Sequence, residues 1–253
     1  MVSPLGHAQH AWIFEDVGAL AFVAFLVYHA WKTAHTRQLS IAALAFVGCL
    51  SMAWQEFYGD WGCYLLYNRD FAHLPWGHTT WTAPVKPWAV LAGYGWFYSV
   101  LFPVMLWLLA RLRSARPNWQ RFLAAGVVAG PALYLWNFAS ADGLAARFRW
   151  WAYVDTIGPT VRQGRIDVPL LYPIGLFAVF GVVALWLIDT RDDRGRPRFE
   201  RLLRSRNPRP GASEQVRRAA TWVIAMNVTY FVTLIGPLVA LRLAFGGPST
   251  LVP

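Results

Sequence analysis

The stretch LSIAALAFVGCLSMAWQEFYGDW, residues 39–61, decides how this chain folds. No charged residue interrupts it from Leu39 to Gln55, and two acids, Glu56 and Asp60, then follow at its end. About 20 apolar residues cross the hydrocarbon of a bilayer as a helix. Lipid offers a bare backbone no hydrogen-bond partner, so such a run must satisfy its own peptide groups. The apolar run itself is about 39–57; working outward, five further runs occupy about 12–31, 88–112, 122–138, 168–188 and 219–244. The run at 122–138 is short and carries Gly126, Gly130 and Pro131. Length and the lack of strict alternation favour helices over barrel strands. The expected fold is all-α and integral to a membrane. It is a single domain over residues 1–253, a bundle of about six transmembrane helices with two long Trp-rich extracytoplasmic loops.

Composition agrees. Of 253 residues, 57% are hydrophobic, 16% aromatic and 14% charged, against about 25% charged in an average soluble domain. That excludes a disordered chain, a coiled coil and a disulfide-stapled mini-protein, and leaves too few polar groups to coat a soluble globule. The net charge of +10 is no nucleic-acid footprint, because 16 of the 23 cations fall in three short segments between apolar runs. These hold Lys32 and Arg37; Arg111, Arg113, Arg116 and Arg121; and ten arginines from Arg191 to Arg218. Cationic loops stay cytoplasmic, which predicts a cell-membrane protein with both termini extracytoplasmic. The opening MVSPLGHAQHAW lacks a basic stretch and a cleavage site, so the first apolar run is expected to be retained. Cys49 and Cys63 are too few for a disulfide framework and are expected as free thiols. Residues 207–213, NPRPGAS, read as a solvated break.

Connections 58–87 and 139–167 are long and rich in Trp, Tyr, Pro and Gly. Most of their tryptophans fit an interfacial aromatic belt; the rest are expected to line a cavity. Eight acids cluster at the outer ends of the runs, among them Glu56, Asp60, Asp70, Asp142 and Asp155. An ionisable group at membrane depth is costly and marks a site. Glu56 and Asp60, four apart, share a face if the helix continues through Gly59. Two carboxyl groups in apolar surroundings titrate apart and can serve as acid and base. Two separate solvated carboxylates remain the plainer alternative. Asn137 and Asp142 are placed toward the same mouth, Tyr172 in the fifth helix, and Asn227 and Tyr230 on one face of the sixth. Asn227 reads equally as interhelical glue or as a substrate contact. Five acids among the last arginines (Asp189, Asp192, Asp193, Glu200 and Glu214) read as solvated ion pairs. His73 and His78 lack the spacing of a metal site. No nucleophile elbow, phosphate loop, haem motif or buried retinal lysine is present, so neither metal nor cofactor is expected.

Three stretches then resemble the AveC-like spirocyclase family of membrane proteins. They are Gln55-Glu56 with Asp60-Trp61 and Tyr67-Asn68; Tyr172-Pro173-Ile174; and Asp192-Asp193-Arg194-Gly195 with Glu200. Glu56 stands where the family has Asp, Phe57 where it has Pro, Asp60 where it tends to Asn, and Gly175 where relatives often carry Glu. The resemblance implies cyclisation of a lipophilic, polyketide-like hydroxy-ketone to a spiroketal, with or without a later dehydration, and without a cofactor. Glu56 is then the expected general acid, Asp60 the base, and Asp142 a third proton-sharing group. Trp54, Tyr67, Asn68, Trp81, Tyr94, Asn137, Asp155, Tyr172, Asn227 and Tyr230 are the expected substrate contacts. The partners expected are that lipophilic small molecule and membrane lipid. A membrane isoprenoid cyclase that protonates an epoxide or alkene is one alternative; a non-catalytic lipid-binding or transport protein is another.

Overall fold

The computed structural model describes residues 5–77, 79–163, 166–203 and 211–253. Long helical stretches dominate them: α1 (Ile13–Thr36), α2 (Ile41–Gly62), α3 (Trp88–Ala115), α4 (Arg121–Phe148), α5 (Ile174–Asp189) and α6 (Ala212–Phe245). Five are long and apolar enough to cross a bilayer, the architecture of an integral membrane protein; α5, with 16 residues, is shorter. The run expected from residue 168 opens as a strand, and its helix begins only at Ile174. Pro169 and Pro173 explain this, since neither has an N–H to give a helix. Tyr172, expected inside that helix, therefore precedes it. The run expected to end at 138 continues to Phe148 through a π-helical turn at Trp136–Ala141.

Nor is the fold purely helical. The connections read as loops contain β1 (Leu65–Tyr67), paired antiparallel with β2 (Trp151–Tyr153), and β3 (Thr160–Gln163), paired with β4 (Ile166–Pro169). The first pair, with Leu66 opposite Ala152, ties the α2–α3 connection to the α4–α5 connection.

The core lies between α2, α3, α5 and α6, where Leu44, Tyr98, Phe102, Phe180, Trp222 and Met226 are buried. α4 packs on α3 and α5 through Leu109, Ala125, Ala129, Leu133 and Leu185. α1 stands at the edge and exposes Leu20, Val23, Leu26 and Val27, as a lipid-facing helix can.

The α1–α2 and α3–α4 connections and the described part of the α5–α6 connection bring arginines to one end of the bundle. The acids there are not all solvated as expected. The Glu200 side chain is only 5% exposed; its carboxylate accepts from Arg218 Nε at 2.8 Å and from Trp222 Nε1 at 2.8 Å. Arg218 also donates to the Leu39 carbonyl at 3.0 Å, locking α6 to the start of α2. Asp192 closes a turn by accepting the backbone N–H groups of Arg194 (3.0 Å) and Arg196 (3.1 Å). Residues 207–210 of the expected solvated break lie outside the described residues.

At the opposite end, α2 and α6 approach backbone to backbone. A Cβ on Gly62 would lie 3.0 Å from the Leu238 carbonyl carbon. Tyr172 hydroxyl bonds the carbonyls of Gly62 and Leu238 at this crossing. Arg242 is sandwiched between the rings of Trp61 (3.9 Å) and Tyr64 (4.1 Å) and donates to the Trp61 and Val252 carbonyls.

Candidate active site

A cavity of about 460 Å³ opens at this second end, between the first turns of α1, the end of α2, the start of α3 and the π-helical turn of α4. α2 tightens to a 3-10 turn at Ala53–Gln55 and is α-helical again from Glu56 through Gly59 to Gly62, so the four-residue spacing does bring Glu56 and Asp60 onto one face. α6 packs closely there: a Cβ on Gly59 would lie 2.6 Å from Ile235 Cδ1, so that side-chain end would have to shift.

Glu56 Oε2 is bonded by the hydroxyls of Tyr94 and Tyr230, which also bond each other. Asp60 is 2% exposed, and its Oδ2 has no hydrogen-bond partner among the described residues. It interacts electrostatically with Glu56 and with Lys86. Lys86 is itself buried, donating from Nζ to the carbonyls of Ala83 (2.8 Å) and Gly77 (3.2 Å). Burial pulls the Lys86 ammonium below the usual lysine range, against the opposing pull of Asp60. Asp142 is buried at the start of the last turns of α4. Its Oδ1 accepts from Trp151 Nε1 and from Tyr153 hydroxyl, each at 3.1 Å, while Oδ2 has no partner among the described residues. Burial first, then the Asp142 carboxyl, push the Tyr153 hydroxyl well above the usual tyrosine range. Burial and Asp60 do the same to Tyr67. Both phenols are therefore neutral donors near neutral pH.

The remaining wall is largely apolar: Phe14, Val90, Phe97, Trp136, Trp150 and Trp151 contribute. The tryptophans divide. Of those in the two long connections, Trp150 and Trp151 line the cavity, Trp61 is buried away from it and Trp81 is exposed; Trp96 and Trp136 line it from α3 and α4.

Of the residues singled out from the sequence, Glu56, Asp60, Asp142, Tyr67, Tyr94 and Asn137 line the cavity. Tyr230 stands behind Glu56. The other expected contacts do not line it. Trp54 and Trp81 are exposed because their side chains leave the bundle. Asn68 is fully buried in the connection, where Nδ2 donates to the Gly6 (2.9 Å) and Arg149 (2.8 Å) carbonyls. Asp155 caps the Thr156 N–H at 2.8 Å. Tyr172 is consumed by the α2–α6 crossing. Asn227 is glue: Gln55 Nε2 donates to its Oδ1 at 2.7 Å, and its Nδ2 donates to Ser51 Oγ at 2.8 Å. Cys49 and Cys63 are free and buried. His78 lies outside the described residues, so its pairing with His73 does too. Sequence reasoning did not single out Trp151 and Tyr153 as the donors to Asp142. They stand two apart on β2, which packs against the last turns of α4, and so present one face to Asp142; a three-residue strand is too short to show this in the sequence.

Comparison with curated proteins and with solved structures finds no match. A family model, described as spirocyclase AveC-like, matches residues 36–248. That range takes in α2 to α6 and all three carboxyl groups of the cavity. The chain belongs to the AveC-like spirocyclase family.

Proposed function

We propose that the protein is a cyclase that closes a lipophilic dihydroxy-ketone into a spiroketal by acid–base chemistry of its own side chains. One observation carries this reading: Glu56, Asp60 and Asp142 line a single, mostly apolar cavity. In the reaction, one substrate hydroxyl adds to the ketone carbon and gives a hemiketal. The hemiketal oxygen is protonated and leaves as water. The second hydroxyl attacks the resulting oxocarbenium carbon and surrenders its proton. One water is released, and the acid and base are restored.

Glu56 is the proton donor. Its Oε2 and the two tyrosine hydroxyls form a triangle with three mutual contacts. The tyrosines supply two protons, so a full set of hydrogen bonds takes a third, from the carboxyl group itself. Asp60 is the base, with Oδ2 left as a free acceptor in the cavity wall. Asp142, oriented by Trp151 and Tyr153, passes protons between substrate and the pair. Neutral Tyr67 steadies substrate oxygens as a donor. Aromatic walls hold the chain folded and keep water from the oxocarbenium ion. The arginine-rich end faces the cytoplasm, so the cavity and both termini face outward.

Purified protein in lipid nanodiscs, without added metal or cofactor, tests this. Incubation with a dihydroxy-ketone is expected to yield a spiroketal one water lighter than the substrate, faster than in empty nanodiscs. Turnover of a prenyl epoxide instead would favour the isoprenoid reading, for which the aromatic wall supplies cation-stabilising faces. Binding of both substrates with neither converted would contradict catalysis.

A further inference from the structure

The cavity is not sealed from the side. Its exposed lining residues are Ile13 (37%), Val17 (48%), Trp136 (43%) and Leu144 (43%). All are apolar. Ile13 and Val17 lie on the first turns of α1, and Trp136 and Leu144 on the last part of α4. Both helices are long and apolar enough to cross a bilayer. Leu20, 70% exposed, continues the same greasy surface along α1.

Behind this mouth the wall is stripped of side chains. Gly18 is buried, yet a Cβ on it would meet no atom within 4 Å. A buried glycine with open space at its missing Cβ faces a hollow. Gly93, across the gap on α3, likewise has nothing within 4 Å of a Cβ, and it too lines the cavity. Another face of α3 is tightly packed instead: a Cβ on Gly95 would lie 3.0 Å from Phe46 and 3.3 Å from Phe22. Ala89 and Val90 complete the narrow-walled passage on α3.

The α1 side is also held firmly in place. Glu15 accepts the Ala72 N–H at 2.6 Å, Asp70 accepts the Ala8 N–H at 2.8 Å, and Trp150 Nε1 donates to the Gln9 carbonyl at 2.7 Å. Phe14 packs against Phe71, Trp150 and Trp151 with ring centroids 5.2–5.6 Å apart. These α1 wall residues precede residue 36, where the family match begins.

We propose that the mouth is a lateral portal through which the substrate enters from the bilayer, and that its alkyl tail stays in the passage between α1 and α3 during reaction. Gly18 and Gly93 set the width of that passage. Its α1 wall lies outside the family-matched region and its α3 wall within it. The proposal rests on the cavity being the substrate site, and it deepens that reading by naming where the apolar part of the substrate lies.

The probe is a dihydroxy-ketone with a long alkyl tail bearing a photoactivatable diazirine at its far end, supplied in nanodiscs and mapped by mass spectrometry. Adducts are expected on residues 13–18, 89–93, 136 and 144. Gly18→Leu and Gly93→Leu are expected to cut that labelling about tenfold, the range set by a few methylenes in an apolar pocket; the Ala variants, which fold more readily, should fall in between. Labelling confined to the outer face of α1 near Leu20, Val23 and Val27, or unchanged in all four variants, overturns the portal. Mapping needs no turnover, so the two readings separate. Mouth adducts without product would sink the chemistry and keep the portal, whereas product with adducts elsewhere would do the reverse.

Discussion

Two tyrosine hydroxyls hold Glu56, one from α3 and one from α6, and each is replaceable without disturbing its ring. Tyr94→Phe and Tyr230→Phe should each lower kcat/KM about tenfold, equivalent to about 1.4 kcal/mol. Steady-state kinetics on variants with unchanged melting temperature would measure this. The i, i+4 spacing of Glu56 and Asp60 was legible in the sequence, and helix continuation through Gly59 turns it into a shared face. Asn227 was legible only as an anomaly. Its two readings separate once Ser51 and Gln55 are seen to occupy both ends of its amide. Asn227→Leu should therefore cost about 1 kcal/mol of stability, read as a lower melting temperature with substrate affinity intact.

Elements were legible in proportion to how periodic and how long they are. α2, α3 and α6 stand close to where their apolar runs lie. α5 is shorter than its run because two prolines delay its start, and α4 is longer because a π-helical turn carries it past the apolar stretch. The three-residue strands β1 and β2 are too short to show alternation, and with them went the positions of Trp151 and Tyr153. Among the connections, the acids near the arginines were read by charge alone, which is blind to burial. Removing one member of a buried ion pair typically costs about 3–5 kcal/mol. Glu200→Ala should accordingly lower the melting temperature markedly by leaving Arg218 uncompensated. Asp192 behaves differently. Burial would raise its carboxyl, but the N–H groups of Arg196 and Arg194 and the Arg201 guanidinium outweigh that and hold it below the usual aspartate range. A depressed folded value means the turn gains stability above about pH 4 and loses it as pH falls further. Amide exchange at Arg194 and Arg196 should quicken below that pH, and Asp192→Asn should abolish the dependence.

At the scale of the whole molecule, apolar helices set Glu56, Asp60 and Asp142 at one end of the bundle, and the joined connections close a chamber around them. The sequence conveyed the membrane class and the end at which the acids collect. It could not convey the chamber's walls, because those come from residues far apart in the chain, such as Phe14, Glu56, Asp142 and Leu238. Turnover by Glu56→Gln and Asp60→Asn proteins in nanodiscs, with a dihydroxy-ketone as substrate, tests the central claim most directly. Each substitution should slow spiroketal formation about a hundred- to ten-thousandfold, the usual worth of a positioned acid or base, while melting temperature and substrate binding hold. Wild-type rates in both variants would contradict the account.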